Sequence, residues 1–312
     1  MHFISEAESA SLVDHEIAFT AIQEALVAAS TSAAVSFPVV HGHGSDNANS
    51  FSIKASATES LAGLKVGSYW PGNMEHGLPR HNSLILLLDQ ECGKMSAAIE
   101  AGKVNAYRTA AADAVAAHYL SRENSSVVAV FGTGHQARFE CMAVAKVRKI
   151  RQLIVVGRDI TKAQNMAKEL SLQGLNAEAS DAQSACQRAD IIITATPARS
   201  PLFKAEWVKP GTHIASMGSD APGKQELPPE LFHHSMLFCD LPDQSRRIGE
   251  FQHAHPDRNL IAIGDVISGK HAGRISPDAI TVFDSSGLSV QDLYMGYYLL
   301  NKWLAAKEQQ RR

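Results

Sequence analysis

The sequence has little of what would place it outside the ordinary globular class. Cysteine is scarce: Cys92, Cys141, Cys186 and Cys239 are the four in 312 residues, widely spaced and never at a short metal-ligand interval. That argues against a disulfide scaffold or a cysteine-built metal site and predicts reduced, mostly buried thiols. Neither sign of charge dominates, since 29 basic and 32 acidic residues give a net −3. A nucleic-acid partner is not expected, because such domains are strongly basic. A long uncharged stretch, residues 25–45, is interrupted by Ser30, Thr31, Ser32, Ser36, Pro38, His41 and His43. It is too polar and too broken to span a bilayer, so no membrane partner is expected. The start carries Glu6, Glu8, Asp14 and Glu16 instead of a basic, apolar leader, and a cytoplasmic location follows. There is no internal repeat, and no Gly-x-Ser-x-Gly elbow to support a serine hydrolase.

What is present suffices for a full core: 45% of residues are hydrophobic and 20% charged, as in soluble proteins of two domains or one large α/β unit. "SLVDHEIAFTAIQEALVAAS" places Ile17, Ala21 and Leu26 at helical spacing. Strand-like pieces follow, "AAVSFPVV", "SFSIKAS", "LKVGSYW", "SLILLLD" and "KMSAAIE", separated by Gly, Pro and Asn. This half reads as a helix and then a mainly antiparallel sheet. "NAYRTAAADAVAAHYLSRENS" predicts an alanine-rich helix with Ala112, Val115, Ala116 and Tyr119 on one face, and residues 121–126 read as a linker.

The texture then changes. "VVAVFGTG", "LIVVGRD", "DIIITATP" and "THIASMGSD" are continuous apolar runs spaced by helix-length segments. Buried strands alternating with helices predict a parallel sheet. The final "SVQDLYMGYYLLNKWLAAKEQQRR" reads as an amphipathic helix returning to the first domain. The fold class expected is therefore α/β. A Rossmann-type parallel-sheet domain (123–287) is expected to be inserted in a mainly antiparallel α+β domain (1–122 plus 288–312).

"VVAVFGTGHQA" sets Gly132-x-Gly134-x-x-Ala137 directly after a strand and before a helix. Gly132 permits the tight turn, Gly134 lets a pyrophosphate meet the backbone, and Ala137 keeps helix and strand close. After the second strand stand Gly157, Arg158 and Asp159. A glycine leaves room for a 2′-phosphate and an arginine neutralises it, which favours NADPH. If Asp159 takes the ribose instead, the coenzyme is NADH.

Lys65, in "LKVGSYWPGN", is the one charge in a strand-and-turn stretch, and a small anionic substrate facing it would account for it. Arg108 and Thr109 read as first-turn residues of the alanine-rich helix, where guanidinium, hydroxyl and backbone N–H groups suit a carboxylate or phosphate. Asp220 follows a buried strand, where ligands of open sheets collect; it serves either to handle a proton or to form a turn. His41-x-His43, His233-His234 and His253-x-His255 lie in separate polar segments without a consistent acid partner, and no metal is expected.

These stretches together resemble the ornithine cyclodeaminase/μ-crystallin family. The likeness rests on "LKVGSYWPGN", "GLPRHNSLILLLD", "AYRTAAADAVAAHYL", "VFGTGHQA", "TATP", "GSDAPGKQEL" and "FDSSGLSVQDL", in that order across most of the chain. The resemblance implies a homodimer, with the N-terminal domain supplying the subunit contact. It puts the substrate-binding cations on Lys65 and Arg108 and the catalytic roles on Lys65 and Asp220. It puts coenzyme contacts on Arg108, Thr109, Gly132, Thr133, Gly134, His135, Gln136, Gly157, Arg158 and Asp159, with Thr196, Met217 and Gly218 closing over the nicotinamide. Many members carry an arginine near a proline in the early strand; here "SFPVVHGHG" has none, and His41 is the nearest cationic candidate for substrate binding. Within the family, "GLKVGSYWPGN" with "GLPRHNS" resembles reductases of cyclic imino acids, Δ1-pyrroline-2-carboxylate and Δ1-piperideine-2-carboxylate, which form L-proline and L-pipecolate. The rival expectations are an ornithine cyclodeaminase, an alanine dehydrogenase, and a catalytically silent NADP-binding protein.

Overall fold

A computed structural model describes residues 1–31 and 34–310 of the chain. Residue 33 of the first strand reading and residues 311 and 312 of the last helix reading lie outside the described residues. The chain divides into two compact units, Met1–Arg108 with Leu288–Arg312, and Thr109–Gly287.

The first unit is built on a seven-stranded sheet of β1 (His2–Ile4), β2 (Val35–Ser36), β3 (Val40–His43), β4 (Ser50–Ala57), β5 (Ala62–Tyr69), β6 (His81–Leu88) and β7 (Met95–Glu100). The order is β1-β7-β6-β5-β4-β2, with β3 also paired to β4. The β1–β7 pair is parallel and the other pairs are antiparallel, so the mainly antiparallel expectation holds. One row crosses the sheet as Ile4–Ile99–Ile85–Lys65–Lys54. Residues directly opposite share a face, so this row runs from a buried isoleucine core into two lysines.

Where one helix was expected near the start, there are two, α1 (Glu6–Leu12) and α2 (His15–Ala29). Two start signals account for the break. Ser5 and Glu8 form a capping box on α1, and the Asp14 carboxylate accepts from Ile17 N at 2.9 Å to cap α2. The C-terminal helix, Ser289–Gln310, packs on α2 and on β4, β5 and β6.

Helix α3 (Gly102–Leu120) begins in this unit and ends in the other. Its first N–H groups are taken by the chain itself: the Glu6 carboxylate accepts from Gly102 N at 2.7 Å and Lys103 N at 2.8 Å. From Ala110 to Ala117 it is buried all round rather than on the single face expected, which its small side chains allow. Residues 121–126, read as a linker, are packed within the second unit. Ser121, Ser125 and Ser126 are buried and Arg122 meets Asp190 at 2.9 Å.

The second unit holds a parallel sheet of β8 (Val127–Phe131), β9 (Gln152–Val156), β10 (Ala177–Ala179), β11 (Ile191–Thr194), β12 (His213–Ser216), β13 (Met236–Cys239), β14 (Leu260–Ala262) and β15 (Thr281–Asp284). The order is β10-β9-β8-β11-β12-β15-β13-β14, with every pair parallel. It is interleaved with α4 (His135–Val147), α5 (Ile160–Leu172), α6 (Ala182–Arg188), α7 (Pro242–Ile248) and α8 (Ile263–Ile267); the C-terminal helix is α9. Strand order reverses between β8 and β11. Ligands of doubly wound sheets bind beyond the carboxyl ends of the strands at such a point, here beyond Phe131 and Thr194.

Candidate active site

In the first unit, Lys65 projects from β5 onto the sheet face on which α9 packs. Its Nζ lies 2.9 Å from Asp292 Oδ1 and 3.2 Å from Asn105 Oδ1. Arg108 joins the same group: its Nε is 3.3 Å from Asp292 Oδ1, NH1 donates to Gln291 Oε1 at 3.2 Å and NH2 to Asn105 Oδ1 at 3.1 Å. Lys65, Arg108 and Asp292 are 6%, 8% and 2% exposed, so the cluster is shielded from water. Burial pulls the Lys65 ammonium down to about 7, helped by the charges of Arg108 and Lys54, while Asp292 pulls the other way. Desolvation wins because one carboxylate is shared between two cations. Asp292 Oδ2 and Gln291 Nε2 are buried without a hydrogen-bond partner, so this polar group has bonding capacity left for a small ligand.

Arg108 is not in the first turn of its helix as expected. α3 starts at Gly102, and the α3 N-terminus is occupied by Glu6. Arg108 reaches the cluster by its side chain alone. His41 is exposed on β3 and belongs to the next row of the sheet, His41–Ser52–Gly67–Ser83. That row is short-chained beside Lys65, and an added Cβ at Gly67 would have Ser52, Ser83 and Lys65 atoms as its nearest neighbours, at 3.8–4.0 Å.

Asp292, Gln291 and Asn105 were not singled out in the sequence. The signal available was "LSVQDL", quoted for its likeness but not for its acid.

In the second unit, β8 ends in the expected glycine turn. Gly132 has φ +126°, and a Cβ there would come within 2.6 Å of Ala195 O, so only glycine serves. Gly134 is different: its φ is −81° and an added Cβ would meet nothing within 4 Å. It caps α4 without any side-chain bond, leaving backbone N–H groups of the first turn and open space above them, as a pyrophosphate requires. Ala137 is fully buried against the sheet. Arg138 braces the turn, its NH1 donating to Thr133 O at 2.8 Å and Gly134 O at 2.9 Å. His135 stacks on Phe139, and burial beside Arg138 lowers its pKa. Gln136 donates to Glu140 Oε1 at 2.7 Å. Near Glu140, burial pushes the Asp113 carboxyl up to about 8.

Gly157 clears Thr133, since a Cβ would lie 2.6 Å from the Thr133 methyl group. Arg158 is exposed at the end of β9. Asp159 caps α5, accepting from Thr161 N at 2.9 Å and Lys162 N at 3.2 Å. Thr109 is half-buried on α3.

Beyond β11 and β12, Met217 N donates to Thr194 O at 2.8 Å, and Thr196 and Gly218 are gathered by a side chain not anticipated from the sequence. Glu226 accepts from Thr196 N and Oγ1, both at 2.7 Å, from Thr194 Oγ1 at 2.8 Å and from Gly218 N at 2.9 Å. Asp220 is exposed on the following loop and takes Lys224 Nζ at 2.5 Å. Among the described residues no group of three or more His, Cys, Asp or Glu side chains converges to hold a metal ion. No described helix is long and apolar enough to cross a membrane.

A glycine turn at the switch point of a parallel sheet marks a dinucleotide-binding protein, and likeness to proteins named as imine and ketimine reductases makes it an oxidoreductase acting on carbon–nitrogen bonds. The chain belongs to the ornithine cyclodeaminase/mu-crystallin family, whose model matches residues 1–307. It is 36% identical over 301 residues to the iminosuccinate reductase of Paracoccus denitrificans, covering 94% of this chain and 93% of the other. Among solved structures, an archaeal alanine dehydrogenase dimer with bound NAD superposes with a TM-score of 0.89 at 31% identity, covering 98% of this chain and 97% of that one. The Thermococcus litoralis Δ(1)-pyrroline-2-carboxylate reductase, in complex with NADH and L-proline, gives 0.88 at 27% identity, covering 98% of each chain.

Proposed function

We propose that the chain reduces the C=N bond of a 2-imino carboxylate, and that the substrate is a cyclic ketimine, Δ1-pyrroline-2-carboxylate or Δ1-piperideine-2-carboxylate, yielding L-proline or L-pipecolate. The observation that carries this reading is the buried Lys65–Asp292–Arg108 group. It offers two cations, only one of them fixed in charge, to a small anion.

When bound, a reduced nicotinamide dinucleotide supplies the hydride that ends on the imine carbon. Arg108 and Lys65 bind the substrate carboxylate, and charge-assisted bonds in a dry site hold the ring in one orientation. The imine nitrogen must gain a proton as the carbon gains its hydride. Lys65, at about 7, gives up a proton far more readily than an ordinary lysine, and Asp220 is the second group assigned to that step. The turn at Gly132 and Gly134 holds the pyrophosphate.

NADPH is the coenzyme we favour. Asp159 already serves as the α5 cap, while Arg158 is exposed for a 2′-phosphate. The dimer named for the archaeal relative supports a homodimer here, and we place the protein in the cytoplasm.

A specific observation favours a second reading, an open-chain imino dicarboxylate such as iminosuccinate. Lys54 stands directly opposite Lys65 in the β4–β5 ladder and depresses its pKa. Three cations, Lys54, Lys65 and Arg108, suit a dianion. The similarity to an iminosuccinate reductase points the same way.

One experiment separates these readings. Oxidation of NADPH is followed with five- and six-membered cyclic imino acids and with iminosuccinate, then repeated with NADH. Turnover of the cyclic substrates supports the first reading, and preference for iminosuccinate replaces it with the second. Ornithine with NAD giving ammonia and proline without net coenzyme reduction would overturn the reductase assignment altogether.

A further inference from the structure

Glu226 is a fully buried acid that the mechanism above does not use. Its two oxygens receive five donors. Oε1 takes Thr196 N and Thr196 Oγ1; Oε2 takes Thr194 Oγ1, Gly218 N and, at 3.1 Å, Ser216 Oγ. Those donors come from the ends of two neighbouring strands, β11 and β12, and from the loops that follow them. Glu226 is itself held from behind. Its N–H and that of Leu227 donate to Glu250 at 2.8–3.1 Å, and Glu250 N donates to Asp284 Oδ1 at 2.9 Å. Asp284 also takes the Ser245 hydroxyl.

We infer that Glu226 is the positioning residue that fixes the two strand-end loops, through Thr196 and Gly218, against the nicotinamide ring. The inference rests on the function proposed above for the identity of that ring.

The geometry requires a carboxylate in particular. Each oxygen faces one backbone N–H, Thr196 N on one side and Gly218 N on the other, and a backbone donor cannot rotate away. An amide in either orientation would turn an NH2 group toward one of them, so a glutamine of the same shape cannot satisfy both loops. Gly218 is fitted against the same carboxylate: a Cβ there would lie 2.7 Å from Glu226 Oε1 and 2.2 Å from Thr196 O. The loops are therefore seated on the carboxylate with no room for adjustment between them.

The test uses the full chain with Glu226→Gln. Three quantities are compared with wild type: binding of ADP-ribose, which lacks the nicotinamide; the fluorescence of the bound reduced nicotinamide; and steady-state kinetics with the best imine. Displaced loops leave ADP-ribose affinity unchanged, abolish the fluorescence change of the reduced ring and lower kcat by about a hundredfold, the scale of a misplacement near 1 Å. KM for the imine stays close to wild type, because Lys65 and Arg108 belong to the other unit. Should Glu226→Gln fail to fold, Ser216→Ala and Thr194→Val each remove one donor and give smaller losses in the same two readouts. Wild-type fluorescence and kcat in Glu226→Gln would overturn the inference. So would ADP-ribose affinity and kcat falling together with melting temperature, the mark of a merely structural acid. A wild-type protein that binds reduced coenzyme normally but turns over no imine sinks the function proposed above and leaves the fluorescence comparison standing.

Discussion

Lys65 and Asp292 meet at 2.9 Å although 227 residues separate them in the chain. The carboxylate opposes the burial that drives the lysine toward its neutral form. Asp292→Asn therefore lowers the Lys65 pKa below about 7, and the high-pH loss of kcat/KM moves to lower pH. The sign for stability follows from the same shift. The native state binds fewer protons than the unfolded chain between the folded and unfolded lysine pKa values, so Lys65 makes stability rise with pH in that window. Removing one partner of a buried pair costs about 3–5 kcal/mol. The melting temperature of the variant should accordingly fall most at about pH 6 and recover toward about pH 9. An unchanged pH profile would show that Lys65 is not coupled to Asp292.

Arg108 donates from NH1 and NH2 to Gln291 and Asn105 while its Nε faces Asp292. A lysine cannot reproduce that fork. Arg108→Lys should raise KM for the imino acid roughly ten- to a hundredfold, the worth of a lost charged hydrogen bond of about 1.5–3 kcal/mol. The kcat measured at saturating substrate should fall far less. A fall confined to kcat would place Arg108 in the chemical step instead.

The two glycines of the turn should separate stability from coenzyme binding. Gly132→Ala meets Ala195 O at 2.6 Å in a left-handed backbone, so thermal melting should reveal a destabilised fold. Gly134→Ala meets nothing within 4 Å at an ordinary φ. Its melting temperature should match wild type without ligand, while coenzyme affinity by titration falls at least several-fold. Equal coenzyme affinity in Gly134→Ala would move the pyrophosphate elsewhere.

Coenzyme choice should respond to Arg158, which is exposed while Asp159 is engaged as a cap. Arg158→Glu repels a 2′-phosphate and should lower kcat/KM with NADPH at least about tenfold relative to NADH. A ratio that does not move would mean that the adenosine ribose lies away from this strand end.

Asp113 lies fully buried on α3, and burial raises its carboxyl to about 8. The native state then holds a proton that the unfolded chain releases above the ordinary aspartate range. Stability contributed by this group falls as pH rises from near 4 to about 8. Asp113→Asn removes that slope, so the variant should gain on wild type as melting is measured from about pH 5 to about pH 8. Parallel curves for the two proteins would show that Asp113 does not hold that proton.

Much of this architecture is legible in local pattern. The alternation of buried strands and helices after residue 126 announced the parallel sheet, and Gly132 and Gly134 stand where strand, turn and helix were read. Lys65 and Arg108 were recognised as isolated charges among small or apolar neighbours, and the structure brings them together. Their partners were not recognised. Asp292 and Gln291 lie in a helix whose sequence resembles any amphipathic helix, and nothing periodic marks an acid that will meet a lysine across the whole length of the chain. Glu226 lies in the same "GSDAPGKQEL" as Asp220, the acid expected to act, and a loop gives no local hint of which acid turns inward. The start of α3 was misplaced for a similar reason. Its cap is the carboxylate of Glu6, 96 residues earlier, and so no cap residue stands beside it in the sequence.

The cation group is completed only by the last helix. During synthesis Lys65 and Arg108 emerge long before residues 291 and 292, whereas every strand of the parallel sheet is already present at Asp284. A nascent chain can close the coenzyme-binding unit while the two cations still await their counter-ion. Released chains truncated after residue 287 should resist protease in that unit and remain sensitive at β4 and β5; competence for the substrate anion would arrive only with the closing segment of the chain.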